Sequence, residues 1–438
     1  MAKGTKVDEL NPRTMKYEFL GPPGAFVISI VVPIVLYALY FGCSEASGGH
    51  PPSLSLASLR ENVGSAVGSV EWWRSLWDWD ASLAYLGWYA FCVASWAVLP
   101  GKWVEGTTLR TGEKLKYKVN ALPTFFLAIS IALAVIIRGG PQAFTFIYEK
   151  WVGLVSAALL MSFVQATACY IASFRPDALL ALGGNSGNVV YDWFIGRELN
   201  PGIGCFDIST FNELRPSMIL WELIDISMVC EQAVRRGGFV NVTASMWLVL
   251  AFHTLYVFDC MYNESALFTT MDVTTDGFGF MLSVGDLVWI PFTFSLQARY
   301  LAFRHVELGA LGVIGVISVN AVGYWIFRSA NGEKNEFRNG KNPKNLKYMD
   351  TKRGTKLLIT GWWGVCQHPN YMGDLIMSVA WCLPTGFSTP ITYFYPVYFT
   401  ALLVHRQMRD DEACAQKYGD DWKKYKKLVP YKIVPGIY

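Results

Sequence analysis

Long uncharged apolar runs alternate with short polar segments along most of the chain. A run of about 18 or more apolar residues is long enough to cross the hydrocarbon core of a bilayer as a helix. Six runs reach this length, at 21–44, 81–101, 119–137, 151–174, 239–258 and 308–327. The pattern therefore predicts a bundle of membrane-spanning helices.

Three further segments are apolar but interrupted. Residues 375–404 form an uncharged run of 30 residues that Pro384 and Pro390 break. This run is too long for one crossing and is typical of a tight two-helix hairpin. Residues 216–235 and 277–297 are counted as spans with polar content, since they carry the acidic residues Glu222, Asp225, Glu231 and Asp286. We therefore predict an all-α integral membrane protein with about ten transmembrane helices.

The basic residues of the polar segments indicate which way the bundle faces. The N-terminus carries four Lys and Arg residues, 102–118 carries five, 328–356 carries nine, and the tail after His405 carries eight. Positive charge favours the cytosolic side of short loops. With ten spans at these positions all four segments fall on one side, which predicts that both termini are cytosolic.

This pattern divides the chain into three regions. We predict a cytosolic N-terminal segment at 1–20, a transmembrane bundle of about eight spans at 21–327, and a C-terminal part at 328–438 that holds the hairpin and a cytosolic tail. Residues 46–80 are predicted to form a Gly/Ser-rich loop with a tryptophan cluster, WWRSLWDWD. The glycine-rich GGNSG at 183–187 lacks the lysine of a P-loop and is predicted to be a turn.

Composition supports the membrane interpretation and excludes several other classes of protein. Only 16% of residues are charged, against about 25% in soluble domains. The net charge of +3 gives no indication of nucleic-acid binding. The nine cysteines contain no CxxC pair, so we expect neither a disulfide framework nor a zinc site. His368 has no histidine or acidic partner at helical spacing, which argues against a metal site there.

One interval combines apolar runs with an unusual density of titratable side chains. Within 253–286 these are His253, Tyr256, Asp259, Glu264, Asp272, Asp276 and Asp286. Charged groups at membrane depth are costly and are usually functional. The cluster favours a polar pocket inside the bundle, in which burial shifts a carboxyl pKa or prepares a tyrosine as proton donor. The alternative is that each acid lies in an aqueous loop or at a helix end.

The C-terminal part combines cations with flat rings. The segment 334–358 and the tail after His405 are both basic, and the tail is rich in Tyr and Trp. Between them, GWWGVCQHPNYMGD at 361–374 concentrates hydrogen-bonding side chains beside an apolar run. A nucleotide needs cations for its phosphates and rings for its base, whereas positive-inside loops with an aromatic belt would give a similar composition. No GxGxxG follows a strand, so a dinucleotide site here would not be a Rossmann fold.

Two longer motifs resemble the signatures of a known family. GNVVYDWFIGRELNP (187–201) and LLITGWWGVCQHPNYMGD (357–374) resemble the two signatures of the sterol reductases, the family that includes the lamin B receptor. LNPRTMKYEF (10–19) and MDVTTDGFGFMLSVGDLVWIPFT (271–293) are similar to its fungal delta-14 branch. The chain departs from the family pattern at Gly202, Thr360 and Gln367, where the family usually has Arg, Ser and Arg.

The resemblance implies a ten-helix bundle in the endoplasmic reticulum membrane, with a sterol pocket in 21–327 and NADPH bound by 328–438. Lys334 and Arg338 would hold phosphate groups, and Asp410 would lie near the nicotinamide. The other implied cofactor contacts are Leu358, Trp363, Asn370, Tyr371, Cys414, Ala415, Gln416, Lys417, Tyr418 and Tyr425. The family also implies a sterol substrate and association with other enzymes of the sterol pathway.

The implied reaction is reduction of the C14=C15 double bond of a sterol. We expect Tyr256 to deliver the proton, Glu264, Asp272 and Asp286 to relay protons or stabilise positive charge, and Asp410 to assist at the nicotinamide. Three alternatives stay open: a delta-7 sterol reductase, a prenylcysteine carboxyl methyltransferase-like enzyme, and a non-catalytic membrane protein. The 187–201 signature argues against the second, and the short polar N-terminus argues against the third.

Overall fold

The computed structural model of the chain describes residues 10–51 and 68–438, and most of these are helical. The chain forms two compact units. Of the described residues, unit 1 comprises those up to 242 together with 253–305, and unit 2 comprises 243–252 and 306–438. One helix, α10 below, contributes to both units.

Unit 1 contains the larger set of helices. They are α1 Gly21–Gly42, α2 Val70–Ser75, α3 Trp79–Val98, α4 Ala121–Gly139, α5 Phe146–Glu149, α6 Trp151–Ala172, α7 Val189–Ile195, α8 Ile208–Asn212, α9 Leu220–Arg236, α10 Ala244–Tyr262, α11 Glu264–Leu267, α12 Met271–Thr274, α13 Phe280–Val284, α14 Ile290–Thr293 and α15 Leu296–Phe303. Two antiparallel strand pairs join them: β1 Lys102–Thr108 with β2 Lys114–Val119, and β3 Gly202–Ile203 with β4 Phe206–Asp207.

Unit 2 is built from fewer and longer elements. Its helices are α16 Gly309–Arg338, α17 Trp362–Val365, α18 Pro369–Cys382, α19 Phe394–Tyr418 and α20 Asp420–Leu428, and its strands are β5 Tyr348–Asp350 and β6 Lys356–Leu358. Two short 3₁₀ turns, Leu383–Thr385 and Ile391–Tyr393, connect α18 to α19. The segment predicted to form a two-helix hairpin thus holds two helices.

Seven helical segments of the described residues are long and apolar enough to cross a membrane. They are Gly21–Gly42, Val70–Val98, Ala121–Gly139, Trp151–Ala172, Ala244–Tyr262, Phe280–Phe303 and Gly309–Arg338. Each overlaps one of the six long apolar runs or the segment 277–297. Large apolar side chains such as Phe26, Leu86 and Ile137 point outward, with 56%, 52% and 82% of their surface exposed. Such a surface suits hydrocarbon rather than water, so the chain is a multi-pass membrane protein.

The predicted loop at 46–80 is wrong over its last part. Helix α2 begins at Val70 because the Ser69 hydroxyl accepts a hydrogen bond from the Trp72 amide at 3.2 Å. Asp78 caps the next helix in the same way, accepting from the Ala81 amide at 2.9 Å. Each cap satisfies an amide that the first helical turn leaves unpaired. Residues 52–67 of the predicted loop lie outside the described residues.

Helix α9 runs through the interior of unit 1. Its buried residues include Trp221, Glu222 and Asp225. These acids keep its hydropathy below that of the seven spanning segments, although the helix is well covered by protein. A π-helical segment, Glu213–Ile219, leads into it and contains Pro216, which has no amide hydrogen for the helical ladder.

The first signature holds two parts of unit 1 together. Gly196 has a φ of 96° and lies against the backbone of Gly277, so that a Cβ on Gly196 would come within 2.2 Å of the Gly277 carbonyl carbon. Only glycine permits both this conformation and this approach. The Asp192 carboxylate, 2% exposed, accepts hydrogen bonds from the amides of Ser186 and Gly187, both at 2.9 Å. The turn predicted at 183–187 is present and is anchored by this carboxylate.

In unit 2 the helices α16 and α18 pack through small residues. A Cβ added to Gly323 would lie 2.9 Å from the carbonyl oxygen of Gly373, and a Cβ on Gly373 would lie 2.6 Å from the amide nitrogen of Phe327. Small residues let helices approach this closely inside a membrane. The Trp381 indole then donates to the Asn320 side chain at 3.1 Å. The crossing places the second signature beside the C-terminal half of α16.

Candidate functional site

Two cations at the end of α16 mark the candidate cofactor site in unit 2. Lys334 and Arg338 are four residues apart and therefore share one face of the helix. The Lys334 ammonium lies 4.0 Å from the centre of the Trp363 ring. In the part of the chain that the structure describes, neither cation forms an ion pair with a carboxylate. Such cations suit a phosphate-bearing ligand.

The paired tryptophans of the second signature anchor it to α16. The Trp363 indole donates to the carbonyl oxygen of Ala330 at 2.8 Å, and the Trp362 amide donates to Glu333 at 2.9 Å. Glu333 also accepts from Lys344 at 3.0 Å. The signature is therefore held by both its backbone and its side chains next to Lys334.

His368 stands at the start of α18, where the segment turns inward. Its Nε2 lies 3.6 Å from a carboxylate oxygen of Asp410, and its ring stacks on Tyr371 with centroids 4.7 Å apart. Burial lowers the pKa of His368 to about 4; the carboxylate of Asp410 raises it and the ammonium of Lys334 lowers it further. The imidazole is therefore neutral at physiological pH. The sequence showed His368 but gave no signal for its contact with Asp410, which lies 42 residues later.

Several buried polar atoms of this region lack a hydrogen-bond partner among the described residues. They are Gln367 Oε1, His368 Nε2, Asn370 Oδ1 and Gln407 Nε2. A buried polar atom left unpaired costs about 1–3 kcal/mol. A dinucleotide carries amide, ribose hydroxyl and phosphate groups that would pair with such atoms. Together with the two cations and the aromatic rings, these residues fit a nicotinamide dinucleotide.

Gln367, one of the departures from the family pattern, ties the signature to the C-terminal tail. Its side-chain amide donates to the Val429 carbonyl at 2.9 Å, and its backbone amide donates to the Tyr431 carbonyl at 2.9 Å. The neighbouring His368 amide donates to Lys432 at 2.9 Å. At this position the chain therefore uses a neutral amide to hold the tail against the site.

The remaining residues expected to contact the cofactor fall into three groups. Cys414 lies beside the site, with its sulfur 3.9 Å from Asp410, and Leu358 is buried on β6. Tyr425 packs with Trp422 and Val429 in an apolar cluster, which Tyr418 borders. Three further residues face outward and are exposed: Ala415, Gln416 and Lys417. The structure thus brings Lys334, Trp363, Asn370, Tyr371, Asp410 and Cys414 to one region, with Tyr425 supporting it from the apolar cluster.

Tyr256, the expected proton donor, lies in unit 1 on α10. The side chain is half-buried, and its ring centroid is 6.1 Å from that of Trp221 on α9. Trp221 also packs on His253, with centroids 4.7 Å apart. Tyr256 and His253 are three residues apart and so lie on one face of α10. The structure therefore places Tyr256 in a seam of polar and aromatic side chains between α9 and α10.

Glu264 is held in a closed set of hydrogen bonds. One carboxylate oxygen accepts from Arg215 at 2.8 Å and the other accepts from the Ala121 amide at 2.7 Å. Arg215 also donates to the Asn120 side chain at 2.6 Å. Arg215 and Glu264 are each only 2% exposed, and the cavity beside them measures about 10 Å³, which is room for about one water. The arrangement is that of a buried ion pair joining three segments of the chain.

Asp272 is half-buried on α12, and Asp286 is buried. Asp286 lies in a π-helical turn, Gly285–Trp289, and interacts electrostatically with Asp272 and with Glu213. π turns are frequent at functional sites. Acids gathered in this way around a buried carboxyl can hold and exchange protons.

Sequence reasoning missed the polar network on the neighbouring helices. Asn212 donates to Gln165 at 2.6 Å, Gln165 donates to the Tyr89 hydroxyl at 2.8 Å, and that hydroxyl donates to Asn212 at 3.0 Å. Ser283 also donates to Gln165 at 3.2 Å. These residues come from distant segments of the chain, and each looks like an isolated polar residue in its own run. No signal in the sequence connects them.

The amino-acid sequence matches known proteins over nearly its whole length. Residues 13–438 match the ergosterol biosynthesis ERG4/ERG24 family. The chain is 46% identical to the delta(14)-sterol reductase erg24 of Schizosaccharomyces pombe, with all of both chains covered. It is 44% identical to the delta(14)-sterol reductase ERG24 of Candida albicans and 43% identical to that of Saccharomyces cerevisiae, in each case over 99% of this chain and 100% of the relative. The chain belongs to the ergosterol biosynthesis ERG4/ERG24 family.

Proposed function

We propose that this protein reduces the C14=C15 double bond of sterol intermediates in ergosterol biosynthesis, with NADPH as the reductant. The observation that carries the proposal is the end-to-end similarity to delta(14)-sterol reductases of several fungi, at 43–46% identity. The two signatures expected from the sequence lie within that match.

The residues of unit 2 are proposed to hold the cofactor. Lys334 and Arg338 would bind its phosphates, since both are cations without a carboxylate partner among the described residues. Asn370 would pair its buried amide oxygen with the ligand, and Tyr371 would contact it beside His368. Asp410, whose side chain is 43% exposed, would face the nicotinamide end. When bound, NADPH supplies the hydride that ends on C14.

The chemistry requires an acid in addition to the reductant. A carbon-carbon double bond that bears no electron-withdrawing group is not electrophilic, so a proton must reach it before or together with the hydride. Protonation at C15 leaves the positive charge on the more substituted C14. Tyr256 is proposed to donate this proton, because it places a half-buried phenol in the α9–α10 seam. Asp272 and Asp286 are proposed to return a proton to the site from the cytosol.

The structure changes the role that we assign to Glu264. Both of its oxygens are engaged, one by Arg215 and one by the Ala121 amide. A carboxylate held in this way is poorly suited to exchanging protons, because doing so would leave a buried guanidinium unpaired. We therefore propose that Glu264 keeps Arg215 ionised and joins segments of unit 1.

The membrane arrangement is proposed to follow the sequence analysis. Ten crossings result if the seven apolar segments are joined by Leu220–Arg236, Pro369–Cys382 and Phe394–Tyr418. Both termini and the basic segments would then face the cytosol. The endoplasmic reticulum is the proposed location, where the substrates and other enzymes of the sterol pathway would be available.

A turnover assay tests the proposal directly. Detergent-purified protein is mixed with NADPH and a sterol that has double bonds at C8 and C14, and products are identified by mass spectrometry. We expect NADPH-dependent loss of the C14 double bond and no reduction of a 5,7-diene control. Reduction of the 5,7-diene with an untouched C14 bond would instead assign the delta-7 reaction. No reduction of either sterol by protein that binds NADPH would overturn the proposed substrate.

A further inference from the structure

A pair of buried titratable side chains lies beside Tyr256 and has no role in the mechanism above. His253 Nδ1 and an oxygen of Asp225 are 2.7 Å apart, and both side chains are completely buried. Asp225 comes from α9 and His253 from α10. The hydrogen bond therefore joins the two helices at the level of Tyr256, one turn before it.

A second polar contact lies on the same seam. Thr254 donates to Glu222 at 2.5 Å, and Glu222 is 2% exposed. Glu222 and Asp225 are three residues apart on α9, and their partners are adjacent on α10, so the two contacts secure the same pair of helix faces. Surroundings without water do not compete for such bonds, so the partners are held in one orientation.

The contact between Asp225 and His253 continues to Tyr256 through aromatic rings. The His253 ring packs on the Trp221 indole, with centroids 4.7 Å apart, and the same indole faces the Tyr256 ring at 6.1 Å. Phe294 closes the other edge of Trp221 at 5.3 Å. Asp225 thus orients His253, His253 supports Trp221, and Trp221 forms the wall beside Tyr256. Thr254 has no ring and does not take part in this stack.

We propose that Asp225 and His253 are positioning residues that hold Tyr256, through Trp221, in the orientation needed for proton transfer to the sterol. The inference rests on the proposed role of Tyr256 as proton donor. The short contact fixes the imidazole for either proton position, because an ionised Asp225 accepts from hydrogen on Nδ1 and a protonated Asp225 donates to Nδ1, so the carboxyl group sets both the tautomer and the plane of the ring. Without that bond the His253 imidazole can rotate, and the Trp221 indole that packs on it is no longer held in place.

The test compares Asp225→Leu with Asp225→Asn and with Thr254→Val. Asp225→Leu removes the bond to His253, and Asp225→Asn retains an oxygen that can accept it. Thr254→Val removes the other interhelical bond of the seam and is the matched control. We expect Asp225→Leu to lower kcat about 10- to 100-fold, since small misplacements of reacting groups have effects of this size. Asp225→Asn should recover most of the rate, and Thr254→Val should stay within about twofold of the native rate.

A solvent isotope effect separates positioning from general loss of stability. If Tyr256 is misoriented, proton transfer becomes more rate-limiting, so the solvent deuterium effect on kcat should rise in Asp225→Leu and stay unchanged in Thr254→Val. NADPH binding, measured by fluorescence, should be unchanged in both. If the two variants lose the same rate with unchanged isotope effects, the contact is only structural and the inference is overturned.

A fallback variant and the activity of the native protein separate the possible outcomes. If Asp225→Leu does not fold, His253→Asn tests the same link. The asparagine amide occupies the position of Nδ1 but has no ring to support Trp221. A native kcat in this variant would overturn the inference. Native protein that does not reduce C14 would overturn the proposed function itself. Native protein that is active, with variants that match it, would overturn only the positioning role.

Discussion

Units 1 and 2 differ in whether their principal charged side chains have a partner of opposite charge or a hydrogen-bond partner within the protein. In unit 1 the principal buried charges are paired with each other or with neutral partners, as in Arg215 with Glu264 and Asp225 with His253. In unit 2 the cations Lys334 and Arg338 lack a carboxylate partner among the described residues, and the second signature leaves polar atoms such as Asn370 Oδ1 unpaired.

The comparison shows two uses of polar side chains in a membrane protein. Paired groups hold helices in register and orient a side chain such as Tyr256, because each bond has one geometry. Unpaired groups can form hydrogen bonds to a ligand. Until the ligand binds, they lower the stability of the protein. We therefore assign orientation of the proton donor to unit 1 and binding of the cofactor to unit 2. The predictions below ask whether changes in each unit have the separate effects that this assignment requires.

The largest effect is expected at Tyr256. Replacing Tyr256 by Phe removes the proposed proton donor, and general acid catalysis contributes about 10²- to 10⁴-fold, so kcat should fall by at least about 100-fold. The Kd for NADPH should not change, because the residues proposed to bind the cofactor belong to unit 2. Tyr262→Phe on the same helix is the control, since Tyr262 is 69% exposed. If the Tyr256→Phe variant kept most of the native turnover rate, Tyr256 would not be the proton donor.

A change of stability without a change of chemistry is expected at Glu264. Glu264→Leu leaves Arg215 as an unpaired buried charge, which should lower the free energy of unfolding by about 3–5 kcal/mol. Thermal unfolding in detergent measures this, and a combined Arg215→Met and Glu264→Leu variant should recover most of the loss. Turnover per folded molecule should stay near native. If Glu264→Leu instead loses turnover while its unfolding temperature is unchanged, Glu264 belongs to the proton relay after all.

Replacing both cations of unit 2 should affect the cofactor alone. Each charge-assisted hydrogen bond contributes about 1.5–3 kcal/mol, so Lys334→Ala with Arg338→Ala should raise the KM for NADPH about 100-fold or more. The KM for sterol should stay within about twofold. The matched control replaces Lys341 and Lys347, two exposed lysines of the same basic segment. Equal effects of the two pairs would mean that only the general positive charge of this surface matters.

The smallest effect concerns pH. The pKa of His368 is about 4 in the folded chain and about 6.5 when unfolded, so the unfolded state binds more protons between these values. Stability should therefore fall as the pH drops below about 6.5, by about 1.4 kcal/mol at pH 5.5. His368→Gln should remove this part of the loss. Unfolding temperatures at pH 7.5 and 5.5 provide the measurement, and an identical pH dependence in both proteins would show that folding does not lower the pKa of His368.

The sequence predicts the elements of this protein better than it predicts their partners. Continuous apolar runs such as 151–174 identify membrane helices because a span has a required length. The prediction of a loop at 46–80 is only partly correct. Ser69 and Asp78 cap helices there, and neither stands out in the sequence among small and aromatic residues. Helix α9 was visible as a polar span, but its position in the interior of unit 1 depends on contacts that a single run does not encode.

The same limit applies to the site. Lys334, Arg338 and the second signature stand out because motif and charge are local in the sequence. The pairings Arg215–Glu264 and His368–Asp410 join residues about 49 and 42 positions apart, and only folding reveals them. Glu264 shows the consequence: its acidity suggested a proton relay, whereas its neighbours hold both of its oxygens.

The most direct test of the account follows the two hydrogens added to the sterol. Native protein would be given the diene sterol with NADPH deuterated at the transferred position, and separately with ordinary NADPH in heavy water. We predict one cofactor deuterium at C14 in the first reaction and one solvent deuterium at C15 in the second. Cofactor deuterium at C15, or a product in which neither C14 nor C15 gains hydrogen, would contradict the delivery of a proton to C15 and a hydride to C14 on which the account depends.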